Sequence, residues 1–357
     1  MRLVPVALWL ALCAAMPAYA QQAPAPATAA STPAPASSVT NLESVVVSGV
    51  VPGPGLWKVR KGDHVMYVLG TLSPLPERMQ WKTDEVESVI AASQEVLTAP
   101  SVGIKPKASF FGKLFLLPSL IGARKNPDGV TLREALPPDE YARWETLKQK
   151  YIGNDRGVES WRPIFAAVEL YEKAVKRSGL NASGGVKDTV RELAKKHGVK
   201  VTATRYEMVI EEPRAALKIF KSSSMEDRQC FSQTLDTVEH GLGSVTARAN
   251  AWAVGDIEAL RSLPMNDQRE ACIEAITGAG FAEKLGLRDV PGKVEATWMA
   301  AVDRAMGANA QTFALLPMEE VLSPKGLLAK LKARGYVVTA PDEDDPAESP
   351  APAGATP

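Results

Sequence analysis

The side chains that most often carry chemistry are scarce in this chain of 357 residues, which has three histidines (His64, His197, His240) and three cysteines (Cys13, Cys230, Cys272). Zinc catalysis needs about three converging protein ligands beside an open position. No HExxH, no pair of histidines at ligand spacing and no CxxC occurs. A Walker loop and a GxSxG elbow are also missing, so nucleotide hydrolysis and serine-hydrolase chemistry lack their parts. His197 and His240 each precede a glycine at the end of a helical pattern, where an imidazole meets the last carbonyls and glycine takes the left-handed conformation. Both are therefore assigned to helix ends, and His64, in the turn Lys61-Gly62-Asp63-His64, is expected in solvent.

The elements that would position any site alternate between strand and helix patterns. Leu42 to Val51 reads as extended, and Leu56 to Val59 with Val65 to Leu69 reads as a hairpin. Helical spacing is predicted over Trp81 to Ala92, Asp139 to Tyr151, Pro163 to Lys176, Val186 to His197, across Ala215 to Leu260, and over Val290 to Met306. Short strands are expected at Glu95 to Thr98, Lys200 to Thr204, Thr312 to Leu316 and Tyr336 to Thr339, the last two flanking a helix at Gly326 to Arg334. Ser224 with Asp227 reads as the cap of a helix that His240-Gly241 stops. The pattern is α/β with a helix-rich middle and C-terminal half.

Both ends depart from that pattern. Residues 1–20 read as a secretory signal, with Arg2, the apolar run Leu3 to Ala15 and the cleavage site Ala18-Tyr19-Ala20. Leu12 before Cys13 argues against a lipoprotein. Residues 21–44 read as a Pro/Ala-rich linker and 341–357 as an acidic, Pro/Ala-rich disordered tail, leaving 45–340 as the folded domain. Lys+Arg and Asp+Glu stand at 41 each, and without the tail and Arg2 the balance is 40 against 36, which argues against nucleic acid as a partner. Export from a Gram-negative cell into an oxidising periplasm leaves Cys230 and Cys272 as the possible disulfide, two buried thiols being the alternative.

One series of segments is specific as an ordered set. Gly55-Leu56-Trp57-Lys58-Val59 is followed by Val68-Leu69-Gly70-Thr71-Leu72-Ser73-Pro74-Leu75-Pro76. Then come Pro138 to Leu147, Trp161-Arg162-Pro163, Gly185-Val186, Ala251-Trp252-Ala253-Val254-Gly255-Asp256, Phe313-Ala314-Leu315, Gly326-Leu327-Leu328 and Arg334-Gly335-Tyr336. This series resembles the TraB/GumN family, relatives of the Tiki metalloproteases, over about residues 45 to 340. The resemblance implies a central mixed sheet and a metal site built on two Gly-x-x-His motifs.

Matched residue by residue, the implied machinery is missing. Gly70 and Thr71 are present, but Ser73 stands where the first motif has its histidine. The glutamate position after the first helix falls on Ala99, and the second motif falls on Pro317 to Glu320, with Glu320 (or Glu319) for histidine. An acidic position after the middle strand becomes Arg205, and an aspartate after Gly185-Val186 becomes Lys187. A hydroxyl, a methyl and one carboxylate are too few donors for Zn²⁺ or Mn²⁺, and two added cations would repel a metal. The resemblance therefore implies a metalloprotease-like scaffold with no catalytic residues and no cofactor, acting by binding a peptide, small-molecule or protein ligand. A hydrolase with a rearranged site around Ser73 and Glu320 is the alternative.

Ile104 to Lys125 (IKPKASFFGKLFLLPSLIGARK) carries bases and large apolar residues with no acid. Such a stretch suits weak contact with an anionic membrane surface, or a core helix interrupted at Pro118.

Overall fold

The computed structural model describes residues 46–345 apart from 110–121, 182–184, 224 and 265–266. The chain divides into two units, Met1–Leu42 and Glu43–Pro357, and everything described belongs to the second. The expected signal, the whole linker 21–44, residues 110–121 of the apolar-basic stretch, and the tail beyond Asp345 lie outside the described residues.

In chain order the described strands are β1 (Gly49–Val51), β2 (Leu56–Lys61), β3 (His64–Thr71), β4 (Leu75–Pro76), β5 (Met79–Trp81), β6 (Glu95–Leu97), β7 (Ser101–Pro106), β8 (Leu180–Asn181), β9 (Lys200–Thr202), β10 (Arg205–Ile210), β11 (Gln311–Pro317) and β12 (Val337–Thr339). Six of them form a mixed sheet in the order β12-β2-β3-β11-β6-β9. The hairpin read from sequence forms its antiparallel part together with β12, which pairs antiparallel with β2, and it sets Lys61 opposite His64 and Leu56 opposite Leu69. β3, β11, β6 and β9 then run parallel, registering Leu316 with Gly70, Ala314 with Leu97, and Leu97 with Thr202. β3 and β11 lie inside the sheet, which is why both read as near-continuous apolar runs: Met66, Val68, Leu69, Phe313, Ala314 and Leu316 are fully buried.

Helices cover this sheet. Asp84–Ala92 opens with Asp84, Glu85 and Glu87 in its first turn, where acids suit the positive end of the helix dipole. It packs on Val186–Lys196, and Val290–Ala308 packs along β3, β11 and β6. The expected helix start at Trp81 moves to Asp84, because Trp81 extends β5 and pairs with Val51.

A second apolar cluster builds the helical half. Trp144 and Leu147 of Pro138–Tyr151, Ala167 and Leu170 of Pro163–Arg177, and Phe231 and Leu235 of Arg228–Asp236 meet in it. Cys230 and Cys272 sit in two helices with Cα atoms 4.6 Å apart and sulfurs at 1.97 Å, the disulfide geometry anticipated from the chain's cysteine count. Arg162 of the Trp161-Arg162-Pro163 segment is 1% exposed. Its guanidinium donates to the carbonyls of Phe220 (2.8 Å), Lys221 (3.0 Å) and Ser223 (2.9 Å), closing the C-terminal end of helix Pro213–Ser222.

Three local expectations are corrected. Asp227 stands at the N-cap position of Arg228–Asp236, yet its carboxylate accepts the amide of Ile164 (2.9 Å) rather than one of its own helix. His240-Gly241 does not stop the helix, since Thr237–Gly241 forms a π turn leading straight into Leu242–Val254, with Gly241 at an ordinary helical φ of -97°. His64 is not simply solvated: its Nδ1 lies 2.6 Å from the Asn309 carbonyl. His197 does cap its helix, followed by Gly198 at φ 67°, with Nε2 2.7 Å from Glu87.

The acidic C-terminal segment begins inside the folded body. Asp342 pairs with Arg261 (2.5 Å), and Asp345, 9% exposed, pairs with Arg60 (2.7 Å) and Lys58 (3.4 Å) on β2.

Candidate functional site

In an open sheet, ligands bind in the crevice beyond the carboxyl ends of parallel strands. Here those ends belong to β3, β11, β6 and β9, with Thr71 registered against Pro317. Ser73 lies two residues beyond β3, Ala99 two beyond β6, and Arg205 three beyond β9, while Met318–Leu322 continues directly from β11. Helix Val186–Lys196 leads back into β9, so its first turn, with Lys187, starts at this same edge. Six of the seven residues singled out from sequence thus lie at or just after strand ends in the chain, Lys187 lies in the first turn of a helix, and their individual environments differ.

Gly70 and Thr71 build the floor. The indole of the fully buried Trp252 donates to the Gly70 carbonyl at 2.7 Å. A Cβ at Gly70 would sit 2.5 Å from the Met318 methyl and 3.4 Å from the Trp57 ring, so the Trp57 strand and the residue after β11 close on this glycine. Thr71 is 8% exposed and its hydroxyl donates to Leu316 O across the strand pair (3.4 Å). The Ala251 to Asp256 segment continues the support: Ala253 O accepts the Gly53 amide (2.8 Å), and Asp256 caps Ile257–Ser262 by accepting Ala259 N (2.8 Å).

Ser73 is exposed and precedes a cis-linked Pro74. Ala99 is 7% exposed and contributes only a methyl. Between Ala99 and Arg205 the two strand ends are locked by Thr98 and Thr204. Thr204 N donates to Thr98 Oγ1 (3.0 Å) and Thr204 Oγ1 donates to Thr98 O (2.6 Å), with Thr204 1% exposed. This threonine clasp was not read from the sequence, where two threonines at strand ends carry no chemical signal. Arg205 opens β10, crosses the bare face of Gly103 and reaches Glu207 at 3.9 Å, while Lys187 is exposed in the first turn of its helix.

Glu320 has a structural occupation. Its Oε2 accepts the Leu327 amide (3.1 Å) and so serves the first turn of Leu327–Ala333. The Glu320 carbonyl would lie 2.4 Å from a Cβ at Gly326, a contact only glycine permits. Burial pushes the Glu320 carboxyl above the usual range, the Leu327 amide opposing this and Glu319 adding to it. Glu319 itself is exposed and 3.5 Å from Arg269.

These residues do not fit a catalytic metal. Ser73 offers one neutral oxygen, Ala99 none, and Glu320 a carboxylate already holding a backbone amide. Among the described residues no group of three or more His, Cys, Asp or Glu side chains could hold an ion. His64 begins β3 and is separated from Thr71 by about 23 Å of extended chain. His197 precedes β9 at that same far edge, and His240 lies in the helical half.

Fold and site together define a class: a mixed α/β scaffold with Gly70, Trp252 and Glu320 beside the carboxyl ends of β3 and β11. The sequence model of the TraB/PrgY/gumN family matches residues 55–340, and the chain belongs to that family. No curated protein and no solved structure matches it.

Proposed function

We propose that this TraB/PrgY/gumN-family chain is an exported, periplasmic protein whose strand-end crevice has lost metal chemistry and binds a ligand instead. The observation that supports this reading most is the state of Glu320. The one carboxylate among the positions matched to the family's metal site is spent on Leu327 N, and two of the other matched positions hold a serine and an alanine. The signal-like residues 1–20 support export, and no described helix is long and apolar enough to cross a membrane. Arg205 and Lys187 at the crevice edge favour an anionic or peptide ligand over a cation.

The test uses the mature chain purified from a periplasmic fraction, titrated with an acidic peptide library and assayed for chelator-sensitive peptidase activity. Retention of acidic peptides, weakened by Arg205→Glu and Lys187→Glu with no change in thermal unfolding, is the expected result. Peptide cleavage abolished by chelator would overturn the reading.

A further inference from the structure

We propose that the outer end of the β7/β10 ribbon is a docking surface for an anionic lipid bilayer, independent of what occupies the crevice. β7 and β10 pair in parallel beyond β6 and β9, with Ile104 opposite Met208, Lys105 opposite Val209 and Pro106 opposite Ile210. Successive strand residues point to opposite faces, so Ile104 lies on one face and Val209 on the other. Both are exposed, Ile104 at 65% and Val209 at 52%, and Val102 follows at 45% on the Ile104 face. Helix Val290–Ala308 packs on the ribbon and Met208 is 8% exposed, yet Ile104 and Val209 keep their side chains in water on opposite faces, which does not suit packing against a single flat partner such as a second copy of this chain. A bilayer surface entered end-on covers both faces at once.

Backbone polarity and charge agree with that occupant. The Lys107 amide donates to Ile210 O (2.9 Å), closing the ladder at the ribbon's last pair, as a chain end leaving water requires. Lys105, Lys107 and Arg205 on the ribbon and Arg214, Lys218 and Lys221 on helix Pro213–Ser222 stand against only Glu207, Glu211 and Glu212 over the same residues. Lys105 and Lys107 already hold Glu207 (3.4 Å) and Glu211 (2.7 Å). Basic residues of this number beside exposed aliphatic ones are the recognition chemistry of a negatively charged headgroup layer.

The experiment is flotation of the full mature chain with vesicles of phosphatidylcholine alone and of an equimolar mixture with phosphatidylglycerol, at low and at near-molar salt. The chain is expected to float with the mixed vesicles at low salt only. Ile104→Asp with Val209→Asp should lower that partition about tenfold, Lys105→Glu with Lys107→Glu should lower it comparably, and Val337→Asp, an exposed control on β12, should leave it unchanged. Circular dichroism and thermal unfolding identify any variant that has not folded. A chain that stays in the dense fractions with both vesicles overturns the proposal. Flotation indifferent to Ile104→Asp with Val209→Asp does so too, as does a dimer abolished by those replacements without vesicle binding.

Discussion

The indole nitrogen of Trp252 lies 2.7 Å from the carbonyl oxygen of Gly70, although 182 residues separate them in the chain. This bond joins helix Leu242–Val254 to the carboxyl end of β3. Trp81 stacks edge-on against the same indole at 6.0 Å, and Trp252 is fully buried. Trp252→Phe keeps much of the ring and strands the Gly70 carbonyl. Its cost should be about 1–3 kcal/mol, read by denaturant unfolding, while Trp252→Ala should exceed it by the cavity it opens.

Glu320→Gln should separate a structural role from a ligand role. Because burial raises the folded-state pKa of Glu320, the protonated form suits the fold: its contribution is fully present below the unfolded value of about 4.5 and is lost as pH rises through the raised one. The amide of glutamine still offers an oxygen to Leu327 N and carries no charge. Unfolding curves from acid to neutral pH should show the variant equal to the parent at low pH and at least as stable near neutrality. A variant less stable at neutral pH would show that the ionised carboxylate is needed.

Gly326→Ala should be among the more damaging single-methyl additions in the molecule. The new Cβ would meet the Glu320 carbonyl at 2.4 Å and its Cα at 3.0 Å, both backbone atoms that cannot rotate away. A loss of about 1–3 kcal/mol is expected from such overpacking, measured as a lower denaturation midpoint with an unchanged slope.

The hairpin, the strand bearing Phe313 and the helix around Leu328 were legible because period-two and period-3.6 patterns were strong and turn residues bounded them. β7 was not: SVGIKP contains a glycine and a proline, and its pairing partner lies about a hundred residues away on β10. The continuous helical path through His240-Gly241 was hidden for the opposite reason. A His-Gly pair reads as a stop, and only packing around Val238 and Leu242 keeps the chain helical there. The order of the segments carried the family resemblance, whereas the Thr98-Thr204 clasp and the bond from Glu320 to Leu327 depend on side-chain geometry that spacing cannot encode.

Loss of the Cys230 to Cys272 link should cost about 4 kcal/mol in the loop-entropy account, given their sequence separation of 42. Comparing unfolding of the Cys230→Ala/Cys272→Ala chain with the oxidised parent measures this. Peptide mapping without reductant should recover the linked pair from exported protein, and two freely alkylated thiols would contradict it.

The mature chain should begin at Gln21, after Ala18-Tyr19-Ala20. Mass spectrometry of the protein expressed in a Gram-negative cell and sought in its periplasmic fraction checks this, and a mass including residues 1–20, or a lipid on Cys13, would refute export by a cleaved signal.

The most direct measurement is the metal content of the purified, oxidised chain by elemental analysis, with thermal unfolding in the presence of added Zn²⁺ or Mn²⁺. Ser73, Ala99 and an amide-bound Glu320 predict far less than one ion per chain and an unshifted unfolding midpoint, because a ligand that does not bind the native state cannot stabilise it. About one tightly held ion per chain, removed by Glu320→Gln together with a drop in the midpoint, would contradict the account.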